Sequence, residues 1–387
     1  MRIAIIGGGA AGCFCAIGLK RRLPDAEVTI YEAGAKMLAK VAVTGGGRCN
    51  LTNSFRDVRR LGEVYPRGEQ LMRRALAAFS HEDTMRWFEA EGVRLTVQED
   101  QCVFPASQDA MQIVRTLERC LREAGVRVRL NAPVERVTDL DADRIVVTVG
   151  GSSREKLARL LPEGIELTDT VPSLFTLKIP DAGLRALMGT VVEQASLALA
   201  GTKFRAAGTL LLTDWGVSGP ATLRLSSYAA RHLAENGYTG TLLVNWLDAP
   251  EAAAREWIRA TADAHPQKQA AGTPPAGLTA RLWRHLLGRA GLREDLRWAE
   301  HGSKGAARLA ATLTADAYPV AGRARFKEEF VTCGGVALSG VNLNTLESKV
   351  CPGLFFAGEA LDVDAVTGGF NLQAAWSTAA LVAAAME

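Results

Sequence analysis

The chain has 387 residues, which is too long for one compact hydrophobic core and predicts roughly two or three domains. Lys and Arg total 45 and Asp and Glu total 42, so a net charge of +3 gives no bulk attraction for nucleic acid or an anionic membrane. The seven cysteines contain no CxxC pair, which indicates a reducing compartment and argues against a disulfide framework or a zinc site. We predict a small-molecule substrate, no nucleic-acid or membrane partner and no bound metal.

An apolar run at residues 3–19 could be mistaken for a signal peptide or a membrane span. Basic residues 20–22 follow this run instead of preceding it, which is the wrong polarity for secretion. No other segment approaches the ~20 apolar residues that a membrane-spanning helix needs. The sequence therefore predicts a cytoplasmic protein.

The first thirty-two residues follow the order strand, glycine turn, helix, strand, at residues 3–6, 7–12, 13–22 and 27–31. In the turn Gly7-x-Gly9-x-x-Gly12, the first glycine permits a tight turn, the second lets a pyrophosphate approach, and the third lets helix and strand pack closely. Glu32 lies twenty residues beyond Gly12, where a carboxylate can accept both hydroxyls of an adenosine ribose. The arrangement predicts dinucleotide binding, with the pyrophosphate at the helix N-terminus.

A second glycine-rich stretch occupies residues 36–53. Its three consecutive glycines after Thr44 give a backbone that can lie against a flat or phosphorylated ligand. Arg48 would offer a fixed cation to a pyrophosphate or to an electron-rich ring system. Because the stretch follows the ribose-binding acid closely, it suits the far half of the same dinucleotide.

The run of residues 44–53, TGGGRCNLTN, resembles the signature of the BaiN-like, aminoacetone-oxidase-like family of FAD-binding oxidoreductases. Further matches lie, in the family's order, at residues 332–336, 347–349, 353–364 and 367–373. The resemblance implies a two-dinucleotide-fold flavoprotein with FAD, and not NAD, at the N-terminal fingerprint. One departure is Asp214, where relatives commonly have His, so no acid or base role is carried over to it.

The motifs and the resemblance together predict a set of cofactor-binding residues. They are Gly7, Gly9, Ala10, Ala11, Gly12, Glu32, Lys40, Thr44, Gly45, Gly46, Gly47, Arg48, Cys49, Asn50, Val134, Gly150, Gly151, Gly358, Glu359, Asp364, Gly368, Gly369, Phe370, Asn371 and Leu372. By resemblance, Glu359 binds the ribityl chain and Val134 is a backbone contact to the adenine. Gly150 and Gly151 could equally form an ordinary turn, and Asp364 could either shape its turn or meet substrate.

The C-terminal helix opened by Gly368-Gly369 has a predicted electrostatic role. Its free N–H groups and about half a unit of positive charge would face the N1–C2=O edge of the isoalloxazine. That edge gains negative charge on reduction, so this helix N-terminus should stabilise the reduced cofactor.

Hydrophobic patterns and turn residues predict the remaining elements. In the first half they predict strands at residues 93–97, 126–130, 133–137 and 144–149 and helices at residues 80–90, 110–121 and 154–161. Further strands are predicted at 174–179, 191–199, 204–212, 240–246, 330–332 and 354–357, and helices at 221–230, 249–264, 278–290, 293–317 and from Gly368 to about residue 385. Ser80-x-x-Asp83 resembles a capping box, Ser218 is a predicted N-cap, and residues 266–277 read as a flexible connector.

The predicted fold class is α/β, with a Rossmann-like FAD-binding domain of the two-dinucleotide-fold type at residues 1–173 and 326–387. A barrel-like, β-rich substrate domain would be inserted at residues 174–248 and a small helical domain at residues 249–325. Within the β-rich insert, Trp215 either stacks on a substrate or fills the core.

No Ser/His/Asp arrangement or paired acid stands out, as expected if FAD carries the hydride, and no residue is assigned a catalytic role. The sequence contains one GxGxxG, so NADH or NADPH would dock transiently at the flavin face as the reductant. The first hypothesis is an FAD-dependent oxidoreductase that reduces a small unsaturated or carbonyl-containing acceptor with this hydride. The alternatives are an FAD-dependent amine oxidase that produces hydrogen peroxide, an FAD-bound non-catalytic module and, more remotely, a Rossmann methyltransferase.

Overall fold

The computed structural model describes residues 1–324 and 331–386. The chain forms two compact units, one from Met1–Val171 with Val331–Glu387 and one from Pro172–Phe330. Among the described residues, no helix is both long enough and apolar enough to cross a membrane.

The first 173 residues contain eight strands and seven helices. The strands are β1 (Arg2–Ile6), β2 (Glu27–Tyr31), β3 (Thr52–Asn53), β4 (Leu95–Val97), β5 (Cys102–Pro105), β6 (Arg127–Arg129), β7 (Arg144–Val147) and β8 (Leu167–Ser173). The helices are α1 (Ala10–Arg22), α2 (Ala39–Gly47), α3 (Leu61–Val64), α4 (Glu69–Ala78), α5 (His81–Ala90), α6 (Ala110–Glu123) and α7 (Arg154–Leu160).

The second unit is an antiparallel sheet with helices on it, and the chain then returns to the first unit. The second unit contains β9 (Leu177–Lys178), β10 (Val191–Leu199), β11 (Arg205–Leu212), β12 (Gly216–Ser218), β13 (Thr239–Asn245) and β14 (Asp316–Ala321). Its helices are α8 (Ala182–Arg185), α9 (Pro220–Tyr228), α10 (Ala230–Glu235), α11 (Glu251–Ala264), α12 (Ala280–Arg289) and α13 (Gly302–Ala315). The C-terminal part of the first unit adds β15 (Val331–Val336), β16 (Leu354–Phe356) and α14 (Phe370–Ala385).

Five parallel strands form the central sheet of the first unit, in the order β6-β2-β1-β7-β16. Ile5 of β1 lies opposite Ile30 of β2 on one side and Val146 of β7 on the other. All three side chains are fully buried, as expected for a parallel sheet covered on both faces. The strand order is that of a doubly wound Rossmann sheet, whose direction of winding changes between β1 and β7. The predicted α/β Rossmann-like class is confirmed.

A partly buried carboxylate joins three helices of this unit. Glu91, which follows α5, accepts hydrogen bonds from Arg21 of α1 at 2.5 Å, Arg119 of α6 at 2.9 Å and the Cys120 thiol at 3.1 Å. Burial alone would raise the pKa of Glu91, but these donors outweigh it and hold the pKa at about 2. Glu91 is therefore ionised at neutral pH and ties α1, α5 and α6 together.

The second unit is a six-stranded antiparallel sheet in the order β9-β12-β11-β10-β13-β14. The Lys178 amide donates to the Gly322 carbonyl at 2.8 Å, so the two end strands approach each other and the sheet closes into a barrel. Side chains from both predicted sub-domains, including Val244 of the sheet and Leu313 of α13, belong to one hydrophobic core. The predicted boundary at residue 249 therefore does not separate two cores, because helices α11–α13 bury their apolar faces on this sheet.

Several predicted elements of the first unit differ from the structure. Helix α1 begins at Ala10, so part of the glycine motif lies inside the helix. No strand forms at residues 133–137, because Pro133 and Glu135 are exposed and the segment offers no apolar face to pair. The capping box at Ser80 is confirmed, with Asp83 accepting from the Ser80 amide at 2.8 Å and the Ser80 side chain accepting from the Asp83 amide at 3.1 Å.

Two local predictions in the second unit were wrong at their boundaries. The predicted strand at residues 174–179 shortens to β9, because Leu174 has a left-handed φ of 56° that interrupts extended pairing. The N-cap of α9 is Gly219, with φ 91°, and not Ser218, which ends β12. Pro220 occupies the first helical turn.

Two other differences in the second unit have tertiary causes. The predicted helix at residues 293–317 forms a 3-10 turn at Trp298–Glu300 and the helix α13, and its end becomes β14, whose alternate residues are buried against β13. The predicted flexible connector at residues 266–277 packs into the core: Ala270 is buried, and its carbonyl accepts from the Trp283 indole at 2.8 Å. The predicted strand start at Phe330 lies outside the described residues.

Candidate functional site

The predicted cofactor residues cluster at the carboxyl ends of the parallel strands. Gly7 follows β1, Glu32 follows β2, Gly150 lies just beyond β7 and Glu359 just beyond β16. Since parallel strands end at the same edge of a sheet, these residues share one edge. In doubly wound sheets, ligands bind in the crevice at this edge, where the strand order reverses, which here lies between β1 and β7.

Two glycines of the first motif are required by packing. Gly7 has φ 108°, and a Cβ there would lie 2.5 Å from the Thr148 carbonyl oxygen. A Cβ on Gly12 would lie 2.0 Å from the Gly7 carbonyl oxygen and 2.6 Å from the Thr148 hydroxyl. That hydroxyl donates towards the Ile6 and Gly7 carbonyls at 3.0 and 2.9 Å, so the side chain braces the turn between β1 and α1.

Gly9, the second glycine of this motif, faces open space. A Cβ on Gly9 would have no protein atom within 4 Å. Gly9 is also the N-cap of α1 and supplies no side-chain cap, so the first-turn amides that include Ala10 and Ala11 are left for a ligand. The added positive end of the helix dipole makes this opening suitable for a pyrophosphate.

Glu32 is held in a fixed orientation. One carboxylate oxygen accepts from the Gly8 amide at 2.8 Å and the other from the Gly34 amide at 2.7 Å. Each oxygen retains a lone pair for a ribose hydroxyl. The Ala132 amide donates to the Glu32 carbonyl at 2.9 Å, which brings the segment of Val134 to the same strand end although it is not a strand.

The second glycine stretch forms a sharp kink at the end of α2. Thr44 is extended with ψ 150°, and Gly45, Gly46 and Gly47 have left-handed φ values of 59°, 69° and 82°. A Cβ on Gly45 would lie 2.8 Å from the Asn50 amide, whereas a Cβ on Gly46 or Gly47 would meet nothing within 4 Å. The outer surface of this turn is therefore open bare backbone, the surface that a flat or phosphorylated ligand needs.

The residues after the kink divide into an exposed cation and a buried thiol. The Arg48 guanidinium lies over the Phe104 ring, 4.5 Å from its centroid, and its Nε donates to the Gly45 carbonyl at 3.3 Å. Cys49 is fully buried with φ 61°, and burial raises the pKa of its thiol to about 12. A thiol that stays protonated is a poor nucleophile, so Cys49 fills space and does no thiolate chemistry at neutral pH.

The kinked loop is fastened to the start of α14. The Asn53 side-chain amide donates to the Gly368 carbonyl at 3.1 Å, and Thr52 Oγ1 donates to Gln373 Oε1 at 2.5 Å. The side-chain carboxamide of Asn50 is oriented so that its oxygen accepts from the Gly369 main-chain amide at 3.2 Å and its nitrogen donates to the Thr52 carbonyl at 3.0 Å. Segments more than 300 residues apart in sequence thus meet at one point.

The N-terminus of α14 resembles that of α1 in having no side-chain cap. Gly369 has φ 89°, and a Cβ there would lie 2.3 Å from the Thr52 carbonyl oxygen. The Asn371 carboxamide is used locally, accepting from the Ala365 amide at 2.9 Å and donating to the Ala365 carbonyl at 3.0 Å. The main-chain amides of Phe370, Asn371 and Leu372 form the first turn, where a helix leaves N–H groups without intrahelical partners.

Glu359 lies at the same edge of the sheet, just beyond the end strand β16. Its two oxygens accept from the Gly151 and Thr332 amides, each at 2.8 Å, and Lys40 Nζ lies 3.5 Å from it. Gly150 has φ 72°, and a Cβ on Gly151 would lie 2.2 Å from the Thr332 hydroxyl. Glycine is thus required at this turn by backbone geometry and packing.

Asp364 forms an ion pair with a residue that the sequence did not predict as its partner. Its carboxylate is completely buried and pairs with Arg67, whose Nε donates at 2.6 Å and whose Nη2 makes a second bond. Thr148 and Arg67 are the functional-site residues that sequence reasoning missed. Thr148 directly follows β7, so its polar side chain near the end of a predicted strand was the one sequence feature that could have identified it. No sequence feature pointed to Arg67.

Trp215 of the second unit is half-buried, and its indole N–H donates to the Thr176 hydroxyl at 3.2 Å. Across residues 1–324 and 331–386, no group of three or more His, Cys, Asp or Glu side chains could hold a metal ion.

A doubly wound parallel sheet with a glycine turn and an uncapped helix N-terminus at its switch point defines a Rossmann-type dinucleotide-binding protein. The family model described as HI0933-like protein Rossmann domain matches residues 1–385. The chain therefore belongs to the HI0933-like family, which confirms the predicted flavoprotein family, and it is an FAD-dependent oxidoreductase.

Two curated relatives cover nearly the whole chain. One is the 3-dehydro-bile acid delta(4,6)-reductase of Clostridium scindens, 29% identical over an alignment of 404 positions that covers 97% of this chain and 97% of that protein. Another is the ribosomal RNA dihydrouridine synthase of Escherichia coli, 29% identical over an alignment of 401 positions that covers 97% of this chain and 95% of that protein. Among solved structures, the 3-ketosteroid delta1-dehydrogenase of Sterolibacterium denitrificans is 12% identical, with a TM-score of 0.46 over 99% of this chain and 98% of that one.

Proposed function

We propose that this protein holds FAD in its first unit and uses NADH or NADPH to reduce a small cyclic acceptor with a carbon–carbon double bond conjugated to a carbonyl. The observation that carries the proposal is that one unit contains two helix N-termini without side-chain caps, those of α1 and α14, and an open glycine loop that is bonded to the start of α14. Open backbone at Gly9, Gly46 and Gly47 is what a bound dinucleotide requires.

Each part of FAD has residues of matching chemistry. The first-turn amides of α1 would hold the pyrophosphate, and the fixed carboxylate of Glu32 would accept the adenosine ribose hydroxyls. The backbone near Val134 would contact the adenine, and Glu359, held by two amides, would face the ribityl chain. The remaining predicted contacts would line the kinked loop and the start of α14: Lys40, Thr44, Gly45, Arg48, Cys49, Asn50, Gly150, Gly151, Gly358, Asp364, Gly368, Gly369, Phe370, Asn371 and Leu372.

When bound, FAD supplies two-electron exchange with a nicotinamide and with an organic acceptor. The chain would contribute electrostatics: the main-chain amides at the start of α14 and the helix dipole would stabilise negative charge on a ligand held there. Burial raises the pKa of the Cys13 thiol and raises that of Cys15 to about 12, so neither thiol competes as a redox group.

The acceptor class rests on the names of the two relatives. A 3-dehydro-delta(4,6) steroid and the uracil ring of uridine both carry a ring double bond conjugated to a carbonyl. Reduction would convert this double bond to a single bond, with one hydride from the nicotinamide and one proton from solvent. We keep a small molecule rather than RNA as the acceptor, because a net charge of +3 provides little bulk attraction for a phosphate backbone. Seven free cysteines suit a reducing compartment, so we place the enzyme in the cytoplasm.

Anaerobic stopped-flow mixing of the purified yellow protein with NADH and with NADPH tests the donor. Bleaching of the flavin band is the expected result, followed by recovery when a 4-en-3-one steroid or a uracil nucleoside is added. Bleaching of the flavin band by an amine, with peroxide formed once oxygen is admitted, would instead establish an amine oxidase. A flavin that neither nicotinamide reduces would refute the proposal, and inertness to every reductant would leave a non-catalytic FAD module.

A further inference from the structure

A buried chain of hydrogen bonds runs from the kinked loop into α14. Thr52 Oγ1 donates to Gln373 Oε1 at 2.5 Å, Gln373 Nε2 donates to Ser377 Oγ at 2.8 Å, and Ser377 Oγ donates to the Phe79 carbonyl at 2.7 Å. The side chains of Thr52, Gln373 and Ser377 have no exposed surface. The chain is directional, because each hydroxyl or amide in the middle accepts one bond and donates the next.

This chain fixes the orientation of Gln373. A buried carboxamide that loses its partners carries a large desolvation cost, so alternative rotamers are unfavourable. The other polar side chains of α14 near Gln373 are engaged elsewhere, since Asn371 bonds to Ala365 and the Thr378 hydroxyl donates to the Ala374 carbonyl. The hydrogen bond from Thr52 thus links the orientation of the Gln373 side chain to the position of the loop.

The two ends of the Thr52–Gln373 bond belong to the two halves of the proposed FAD site. Thr52 lies two residues beyond Asn50, and its carbonyl contacts the Gly369 backbone so closely that a Cβ there would lie 2.3 Å away. Gln373 lies about one turn inside α14, and its amide donates to the Gly369 carbonyl at 3.0 Å. Any shift of the loop relative to the first turn of α14 must stretch this bond.

We propose that Gln373 is a positioning residue that holds the glycine loop and the N-terminus of α14 at the separation that FAD requires. This inference rests on the proposed FAD site. It assigns no chemistry to Gln373, which acts through the main-chain groups of the loop and helix.

The test uses isosteric changes in the full-length protein. Thr52→Val removes the donor with little change of shape, and Gln373→Met removes the carboxamide. The double variant completes a double-mutant cycle, which measures the coupling between the two residues. Thr52→Ser keeps the hydroxyl and serves as the conservative rescue. Thr314→Val in α13 removes a hydroxyl that donates to an i−4 carbonyl at 2.8 Å in the other unit, and serves as the matched control. Three quantities are measured for each variant: the FAD dissociation constant, the flavin reduction potential and the thermal midpoint of the apoprotein.

Thr52→Val and Gln373→Met should each raise the FAD dissociation constant about tenfold, which corresponds to one lost buried hydrogen bond. The double variant should be no worse than the weaker-binding single variant, because both changes break the same bond. The reduction potential should become more negative in both, since a displaced α14 stabilises the reduced ring less, while Thr52→Ser and Thr314→Val should match the wild type.

Additive effects in the double variant, or an unchanged potential and affinity despite a lowered apoprotein midpoint, would overturn the positioning role and leave a merely structural one. If the wild-type protein holds FAD and both single variants hold it equally well, the positioning inference alone fails. If the wild-type protein holds no FAD, the proposed function fails first.

Discussion

Replacing Gly9 by alanine should abolish tight FAD binding and leave the fold intact. Gly9 has φ −84° and ψ −166°, a conformation that alanine adopts without strain, and an added Cβ meets no protein atom within 4 Å. The free energy of unfolding should therefore stay unchanged or rise by about 0.4–1 kcal/mol, because alanine restricts the unfolded chain more than glycine does.

The same methyl group would stand in the opening at the start of α1. A pyrophosphate pushed away from this turn would lose on the order of two charge-assisted hydrogen bonds, worth about 1.5–3 kcal/mol each. The FAD dissociation constant should then rise about 100- to 10,000-fold. Titration of the apoprotein with FAD, followed by the quenching of flavin fluorescence, measures this change directly.

Gly12→Ala is the matched control, because it places the same methyl group three residues further on. There the Cβ would lie 2.0 Å from the Gly7 carbonyl oxygen, so the turn must open and the fold should lose stability. Urea unfolding of both apoproteins separates the two effects. Gly9→Ala protein that binds FAD within a few-fold of the wild type, or that unfolds as readily as Gly12→Ala protein, would refute the assignment of Gly9 to the cofactor opening.

Three further predictions concern charged residues of the first unit. The pKa of Glu91 is about 2 in the folded chain against an ordinary value of 4.5. The stabilising effect of the ionised Glu91 carboxylate is therefore complete above pH 4.5 and is lost as the pH falls towards 2. Glu91→Gln should reduce the change of the unfolding free energy with pH by about 3 kcal/mol over that window. Arg67→Met should cost about 3–5 kcal/mol in urea unfolding, because it leaves the buried carboxylate of Asp364 without its cation, and a cost below ~1 kcal/mol would contradict this. Arg48→Ala should weaken FAD retention on a desalting column without lowering the apoprotein midpoint, because Arg48 is exposed and its protein contacts are the Phe104 ring, the Gly45 carbonyl and Gln108.

Local sequence patterns were sufficient for the elements whose causes are local. The Gly7-x-Gly9-x-x-Gly12 turn, the capping box at Ser80 and the apolar stripe of α6 depend on residues within one or two turns of each other. The capping box and the α6 stripe formed where their patterns indicated, whereas the glycine motif runs into α1, which begins at Ala10. The resemblance then extended this local reading to the C-terminal helix, which begins at Phe370, two residues after the predicted opening, and ends at Ala385 as predicted.

The elements that could not be predicted depend on distant partners. The predicted helix at residues 293–317 runs into Asp316–Ala321, and this segment becomes β14 because β13 offers an edge on which Tyr318 and Val320 can be buried. Pro319 has no backbone N–H, and β14 tolerates it because this strand lies at the end of the sheet order, where no ladder hydrogen bond from that N–H is needed. The proline-rich connector likewise looks unstructured in sequence, but the Trp283 indole binds its Ala270 carbonyl and draws it into the core.

The pairing of Asp364 with Arg67 shows why a candidate site needs its electrostatics resolved in space. In the sequence, a carboxylate five residues before Gly369 reads as a group that meets cofactor or substrate. An uncompensated negative charge at that place would oppose the positive end of the α14 dipole, and so would disfavour negative charge on any ligand held there. The Arg67 guanidinium, 297 residues away in sequence, cancels that charge through two hydrogen bonds in a buried setting. The helix N-terminus therefore keeps its positive potential, and the sequence alone, which does not show the pairing, could not distinguish a site that stabilises a reduced flavin from one that opposes it.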